Sequence, residues 1–181
     1  VDSMSRLTNH LVGIGHTLMH FIGNIRYSRS FRDRWIGFRS ALEENGLKSA
    51  FEDDSLLFLE GMDDGTFKDE FKGWVAKKKK SQTLPTAIMC ANDFIALRVS
   101  DVLREEGLQV PADISVTGFD NIEDALRGIP PLTTVHVPKE AMGRAAVERL
   151  LARIHNSAAP LEKILITADI VHRDSVDEHK R

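Results

Sequence analysis

The sequence predicts an α/β protein in which a parallel sheet carries helices on both faces. Short apolar runs alternate along the whole chain with longer segments whose apolar residues recur at helical spacing. These longer segments are about 10–17 residues long, which suits the crossover helices of consecutive βαβ units. Apolar residues make up 42% of the chain and charged residues 28%, as in ordinary globular domains. One domain or two small lobes are therefore expected.

Six apolar runs are predicted as strands. They cover residues 18–22, 56–59, 87–91, 114–119, 132–135 and 164–171. Gly23-Asn24 closes the first run, and polar residues follow the third and fourth. Because β-branched, aromatic and other apolar residues dominate each run on both faces, these strands are expected to lie inside the sheet.

Helices are predicted between the strands. A weak apolar stripe begins at Leu7, and stronger stripes begin at Phe31, Phe67 and Phe94. Glycines end these segments, and the third segment runs instead into a lysine cluster, residues 77–80, where cations complement the helix dipole. The last helix is predicted after Pro138, a residue favoured in the first turn.

The bulk properties narrow the classes of protein. The net charge of −3 gives no basic surface for nucleic acid, and no apolar stretch is long enough to span a bilayer. The single cysteine, Cys90, cannot form an internal disulfide and fits a reducing compartment, so a cytoplasmic protein is expected. The first residues do not form a signal peptide, and because the first Met is at position 4 we expect a piece of a longer protein.

No motif for an enzyme or a resident cofactor is found. The chain lacks a phosphate-binding GxxxxGK[ST] loop, a GxSxG nucleophile elbow and a complete dinucleotide fingerprint. His10, His16 and His20 do not share a helix face, since Gly13 and Gly15 intervene, so no metal site is expected. We therefore expect neither catalysis nor a cofactor.

Polar residues follow the strands where a parallel sheet binds its ligands, beyond the carboxyl ends. Asn92-Asp93 follows one run and Asp120-Asn121 the next, while the loop after the first run leads to Arg32 and Arg34 on the following helix. Amide, carboxylate and guanidinium groups together suit a polyhydroxylated ligand. Helix capping by Asn92 or Asp93, and a plain turn at Asp120-Asn121, are the alternative interpretations.

Longer motifs carry a family resemblance over nearly the whole chain. They are HLVGIGHTLMHFIG from His10, RDRWIGFRSAL from Arg32, CANDFIALRVSDVLREEGLQVPADISVTGFDNIE from Cys90, PPLTTVHVPKEAMGRAAVERLL from Pro130 and HRDSV from His172. The sequence resembles the effector-binding domain of LacI/GalR transcriptional regulators. That resemblance implies a periplasmic-binding-protein-like type I fold with two lobes, a small-molecule effector in the cleft between them, and a homodimer.

The resemblance also implies how the chain is divided. Residues 1–136 and 164–181 correspond to the C-terminal lobe, and residues 137–163 to a segment of the N-terminal lobe. The helix-turn-helix that reads operator DNA precedes these segments in the family and is not in this chain. Operator binding is thus expected of the parent protein.

The same resemblance assigns candidate site residues. The family's cleft positions fall on Arg34, Asn92 and Asp120, with Ser28 and Ser30 in a loop that adds contacts. Asp93 is then left to stabilise the helix start. Candidate dimer contacts, by the same analogy, are Phe94, Val102, Leu126 and Ile129.

Two departures from the family pattern bear on the effector. Met62 and Asp63 stand where family members usually carry an aromatic platform, and Val137 stands near a common glutamine. These differences argue against a stacked purine and leave a sugar-like effector as the expectation. A transport-type solute receptor of the same fold is the alternative function, although the motifs PPLTTV and HRDSV favour the regulator.

Overall fold

The computed structural model describes residues 1–47, 56–57 and 66–179, the pair 56–57 by its backbone alone. Its elements follow one another in the order α1 (Asp2–Gly13), β1 (Met19–Ile22), α2 (Arg29–Glu44), β2 (Leu56–Leu57), α3 (Thr66–Ser81), β3 (Ala87–Cys90), α4 (Asp93–Glu105), β4 (Ser115–Thr117), α5 (Glu123–Arg127), β5 (Thr134–His136), α6 (Lys139–His155) and β6 (Asp169–Val171). Helices and strands alternate from end to end, as predicted.

The central sheet has four parallel strands in the order β2-β1-β3-β4. His20 of β1 is in register with Ile88 of β3, which is in register with Val116 of β4. Strand β5 continues the edge through bridges to the segment after β4, and β6 pairs with β5 in the antiparallel direction. The two-stranded sheet of β5 and β6 thus lies next to β4 and is joined to the four-stranded sheet by isolated bridges.

Helices cover both faces of this sheet, which confirms the predicted fold class. The chain moves from β1 to β2 in one direction along the sheet, and then back across β1 to β3 and β4. Since such crossovers are right-handed, α2 lies on one face and α3 and α4 on the other. The contacts agree, because α1 packs against α2 while α3 packs against α4.

The core lies between these layers. Every residue of β1 and β3 is buried, so both faces of these strands are covered by other elements. The largest fully buried side chains are those of Phe21, Phe38, Phe67, Phe71, Met4, Leu7, Leu11, Met19, Ile22, Leu42, Ile88 and Met89. In the part of the chain that the structure describes, no helix is long and apolar enough to cross a membrane.

Two predicted elements differ from the structure. The strand predicted over 164–171 is wrong for its first five residues, because only Asp169–Val171 finds a partner strand in β5. Leu165 is 81% exposed, and the segment around it lies beside α6 without becoming buried. The short helix α5 was not predicted, since only Ala125 is buried in its five residues. Residues 58–59 of the second predicted strand lie outside the described residues.

Candidate functional site

The carboxyl ends of β1, β3 and β4 meet at one edge of the sheet, as their parallel order requires. Two backbone hydrogen bonds join the loops that leave these strands. The Ala91 amide donates to the Ile22 carbonyl at 2.8 Å, and the Asp93 amide donates to the Phe119 carbonyl at 2.8 Å. The polar residues that follow the strands are therefore held on one small rigid platform.

An ion pair between Arg34 and Asp120 occupies this edge. The Arg34 Nη2 lies 2.7 Å from Asp120 Oδ1, and its Nη1 donates to the Ala91 carbonyl at 2.5 Å. The side chains are only 13% and 28% exposed. The guanidinium carbon also lies 3.9 Å from the centre of the Phe119 ring, a cation–π contact. The arginine predicted from α2 and the aspartate predicted after β4 are thus brought together.

Burial and charge act in opposite directions on Arg34. Burial lowers the pKa of the Arg34 guanidinium, while the charge of Asp120 and the hydrogen bond that Arg34 donates to its carboxylate raise that pKa. Arginine remains protonated in proteins because its unperturbed pKa is so high. The site consequently holds a permanently charged guanidinium against the carboxyl group of Asp120.

The backbone that carries Asp120 has an uncommon conformation. Asp120 has φ +105° and Asn121 has φ +48°, although neither is glycine. Such left-handed conformations are unfavourable for residues with a Cβ and persist only where surrounding contacts hold them, often at binding sites. The Asp120 amide donates to the Val135 carbonyl at 2.9 Å, which is one of those contacts.

Asn92 caps helix α4. Its side-chain oxygen accepts a hydrogen bond from the Ile95 amide at 2.9 Å, with the extended backbone usual for an N-cap. The expected division of roles between Asn92 and Asp93 is therefore wrong in one respect, because the cap is Asn92. Its amide nitrogen still lies at the strand end, beside the platform.

Asp93 is fully buried and points into the protein. Its Oδ2 accepts from the Ile122 amide at 2.8 Å, and its Oδ1 accepts from the Thr134 hydroxyl at 2.5 Å. Burial raises the pKa of the Asp93 carboxyl, and the two hydrogen bonds oppose that rise. Sequence reasoning missed this tertiary role, because a helix-starting aspartate looks the same whether it caps or points inward.

Ser28 and Ser30 lie at the start of α2. Ser28 is the N-cap, accepting from the Phe31 amide at 3.2 Å, and its hydroxyl is 2.9 Å from that of Ser30. Ser30 itself belongs to the first turn of the helix, so the predicted loop ends at Ser28. Both residues follow β1 closely in sequence, and Ser28 is half-buried while Ser30 is exposed to solvent.

Asn121, His136 and Arg173 form a polar network that the sequence did not indicate. The Arg173 Nη2 donates to Asn121 Oδ1 at 2.6 Å, and Asn121 Nδ2 lies 3.0 Å from His136 Nδ1. Arg173 also donates to the Leu132 carbonyl at 2.7 Å. Because β5 and β6 pair only in the folded chain, no local pattern could have found these contacts.

An open groove of about 850 Å³ lies beside this edge. It is lined by Ile25, Arg26, Ser28, Arg29, Arg32, Asp33, Trp35 and Ile36. Of the predicted site residues only Ser28 lines it. The groove is thus formed by the loop before α2 and by α2 itself, and Arg34, Asn92 and Asp120 do not line it.

The candidate dimer residues do not all reach the surface. Phe94, Leu126 and Ile129 are exposed, and the Arg98 guanidinium carbon lies 4.6 Å from the Phe94 ring centre. Val102 is only 3% exposed and belongs to the core cluster, so its prediction as a contact residue is wrong. At helical spacing it falls on the face of α4 that packs on the sheet.

His10 and His16, two of the histidines near the start of the chain, contact other residues of the fold. His16 is buried, with Nδ1 at 3.0 Å from the Thr86 hydroxyl and Nε2 at 3.0 Å from the Asp177 carbonyl. The His10 ring lies 4.5 Å from that of His172. Among the residues described, no group of three or more His, Cys, Asp or Glu side chains is placed to hold a metal ion.

Residues 8–176 match the family of periplasmic binding protein-like domains. The HTH-type transcriptional repressor PurR of Aliivibrio salmonicida (strain LFI1238) is 34% identical over 174 residues, which are 93% of this chain and 49% of that protein. The chain thus spans about half the length of the curated relatives it matches.

Solved structures of LacI-type regulators are similar to this chain over nearly its whole length. The lac repressor dimer bound to operator and the anti-inducer ONPF is 27% identical with a TM-score of 0.77, over 96% of this chain and 57% of that one. A LacI family regulator from Enterococcus faecium with bound ribose has a TM-score of 0.81 over 98% of this chain and 63% of that one, and its 22% identity supports the fold alone. The chain therefore belongs to the periplasmic binding protein-like domain family, in its LacI/GalR transcriptional regulator group.

Proposed function

We propose that this chain is the effector-sensing portion of a LacI/GalR-type transcriptional regulator. The effector would be a small sugar-like molecule held at the strand-end platform by Arg34, Asn92 and Asp120, with Ser28 and Ser30 at its margin. The observation that carries the proposal is the half-buried Arg34–Asp120 pair at the carboxyl ends of the parallel strands. The relatives' names as transcriptional repressors support the regulatory role.

The chemistry of the platform favours a neutral ligand with several hydroxyls. Each hydroxyl both donates and accepts a hydrogen bond, and the platform offers guanidinium and amide donors beside a carboxylate acceptor. Because the Asp120 carboxylate already balances the Arg34 charge at 2.7 Å, a doubly charged phosphate would gain little net attraction. The ribose found in the Enterococcus faecium regulator is a ligand of this class.

We propose that the cleft closes against a second lobe. Helix α6 has no buried residue, and its apolar side chains face solvent. This fits the division expected from the resemblance, in which residues 1–136 and 164–181 form one lobe and 137–163 belong to the other. The second lobe would supply the missing wall of the platform.

Effector binding would act by shifting the equilibrium between lobe arrangements. A ligand shifts such an equilibrium only as far as its affinities for the two states differ. Contacts from both lobes provide that difference, since a ligand touches all of them only in the closed arrangement. In the parent protein, acting in the cytoplasm as a homodimer, the shift would change how the DNA-binding heads meet the operator.

The exposed apolar residues Phe94, Leu126 and Ile129 support a dimer surface near the start of α4 and α5. Analytical ultracentrifugation of the 181-residue chain tests this part. A dimer that weakens on Ile129→Ser is expected, and a monomer at high concentration would contradict it.

The regulatory proposal is tested in the parent protein with Asp120→Ala. We expect the variant to bind operator DNA selected from the genome, yet to lose the effector response that the parent shows in fluorescence anisotropy. Asp124→Ala is the matched control, because Asp124 lies on the same segment and its side chain is 71% exposed. A normal response from Asp120→Ala would refute the site.

A further inference from the structure

We infer that Asp93 is a positioning residue that fixes the Asp120-Asn121 turn and so presents Asp120 to the strand-end platform. This role deepens the proposed function and rests on it, because the strand-end platform matters to an effector only if the effector binds there. The hydrogen bonds that hold the turn can be measured without any effector.

Asp93 holds the turn at both of its ends. Its backbone amide donates to the Phe119 carbonyl at 2.8 Å, directly before the turn. Its side-chain Oδ2 accepts from the Ile122 amide at 2.8 Å, directly after the turn. The two residues between these anchors are those with positive φ, at +105° and +48°. One buried residue therefore clamps the strained dipeptide from either side.

The other carboxylate oxygen connects the turn to the strand that leads towards α6. Asp93 Oδ1 accepts from the hydroxyl of Thr134, the first residue of β5, at 2.5 Å. The same hydroxyl lies 3.4 Å from the Asn121 amide. Asp93 and Thr134 are both fully buried, so the hydrogen bond between their side chains is shielded from water. Movement of β5 and movement of the turn are thus linked through one carboxylate.

The surrounding packing is shaped around this carboxylate. A Cβ placed on Gly118 would lie 2.1 Å from Asp93 Oδ1 and 2.8 Å from Leu132 Cδ2. Only glycine at position 118 leaves the carboxylate where it stands. Burial raises the pKa of Asp93, yet the hydrogen bonds from Thr134 and Ile122 lower it, as expected for a carboxylate whose surroundings are built to receive it.

Residue-resolved amide hydrogen exchange of the 181-residue chain tests the inference. Asp93→Asn keeps the size of the side chain and removes its charge. We expect the protection of the Ile122 amide to fall about tenfold, because hydrogen bonds to a charged acceptor are roughly twice as strong as neutral ones. The amides of Phe21 and Met89 in β1 and β3 serve as the internal reference and should keep their protection.

A second variant acts through the other bond. Thr134→Val removes the hydroxyl and keeps the shape, whereas Thr134→Ser keeps the hydroxyl. We expect Thr134→Val to lower protection at Asn121 and Ile122, and Thr134→Ser to restore it. In Asp93→Asn and in Thr134→Val, ¹⁵N NMR spectra should show faster rotation of the Arg34 guanidinium about its Nε–Cζ bond, because Asp120 no longer holds it in place.

Two results would overturn the inference. One is protection at Ile122 within about twofold of the parent chain in both Asp93→Asn and Thr134→Val, a change too small for a lost charged hydrogen bond. The other is an equal loss at Phe21 and Met89, which would assign Asp93 to general stability. Neither measurement uses an effector, so the role of Asp93 in the turn is tested even if the platform proves not to bind the effector.

Discussion

The packed lobe around the parallel sheet and the α6 segment, residues 139–167, use apolar residues in opposite ways. In the lobe, Leu103 is completely buried between helix and sheet. In the α6 segment, Leu150 is 61% exposed and Leu165 81%. The apolar residues of α6 recur at helical spacing, although they are less sharply separated onto one face than those of α4, and this pattern alone does not tell where the partner surface is. We infer that α6 is built to pack against a part of the fold that lies outside these residues.

The largest expected effect comes from removing one leucine side chain in each region and comparing the losses in stability. Leu103→Ala in α4 should destabilise the chain by about 2–5 kcal/mol, because it leaves a cavity in the core. The matched change Leu150→Ala in α6 should cost within about 0.5 kcal/mol, as expected for an exposed site. Urea unfolding followed by circular dichroism measures both. Equal losses would show that the α6 segment packs as tightly as the lobe.

Substitution of one glycine in each region tests the same difference with smaller expected changes in stability. Gly118→Ala should destabilise by about 1–3 kcal/mol, since the new methyl group would displace Asp93 or Leu132. Gly143→Ala in α6 meets no atom within 4 Å and should stabilise the helix by up to about 1 kcal/mol. Thermal unfolding of the two variants gives opposite shifts in Tm. A destabilised Gly143→Ala chain would mean that a neighbour covers α6 there.

The cap of α4 has a moderate expected effect. Asn92→Ala should cost about 1 kcal/mol, because the Ile95 amide loses its acceptor. Asn92→Asp keeps an acceptor and should cost much less in the same urea titration. Similar losses in both variants would indicate that the amide nitrogen of Asn92, rather than its oxygen, stabilises the lobe.

The smallest expected effect concerns pH and the surface pairing of α3 with α4. Lys68 and Lys72 each lie 2.7 Å from a Glu105 oxygen, and together they lower the pKa of Glu105 to about 2. A depressed folded pKa means that the stabilisation is complete above the ordinary glutamate pKa, near 4.5, and is lost as the pH falls towards about 2. Glu105→Gln should therefore reduce stability slightly at neutral pH and leave it unchanged near pH 2. A larger loss at pH 2 than at pH 7 would contradict the pairing.

Much of the fold and part of the candidate site were predictable because they depend on local signals. Apolar runs predicted β1, β3 and β4, and the ends of the runs of β3 and β4 located Asn92 and Asp120. The cleft residues found by resemblance and those expected from strand ends coincide at Arg34, Asn92 and Asp120. The proximity of Arg34 to Asp120 follows from the parallel order of the strands, which places both at one edge.

The remainder depends on tertiary contacts that leave no local trace. Asn92 and Asp93 both favour helix starts, and only the position of Ile122 and Thr134 decides that Asp93 turns inward. Val102 has the spacing of a surface contact and of a core residue alike, and packing against the sheet selects the core. Met62 and Asp63, whose departure from the family pattern bears on the effector, lie outside the described residues.

The most direct test of the proposed effector site is a thermal-shift measurement on the parent protein with D-ribose and a panel of other neutral sugars. At a concentration about 100 times Kd, a bound sugar should stabilise the protein by about 2.7 kcal/mol. Arg34→Lys should abolish that shift, because lysine cannot reproduce the planar fork. Arg29→Lys, at a side chain 86% exposed, should keep it. A sugar that stabilises the parent and Arg34→Lys equally would contradict the assignment of the strand-end platform as the effector site.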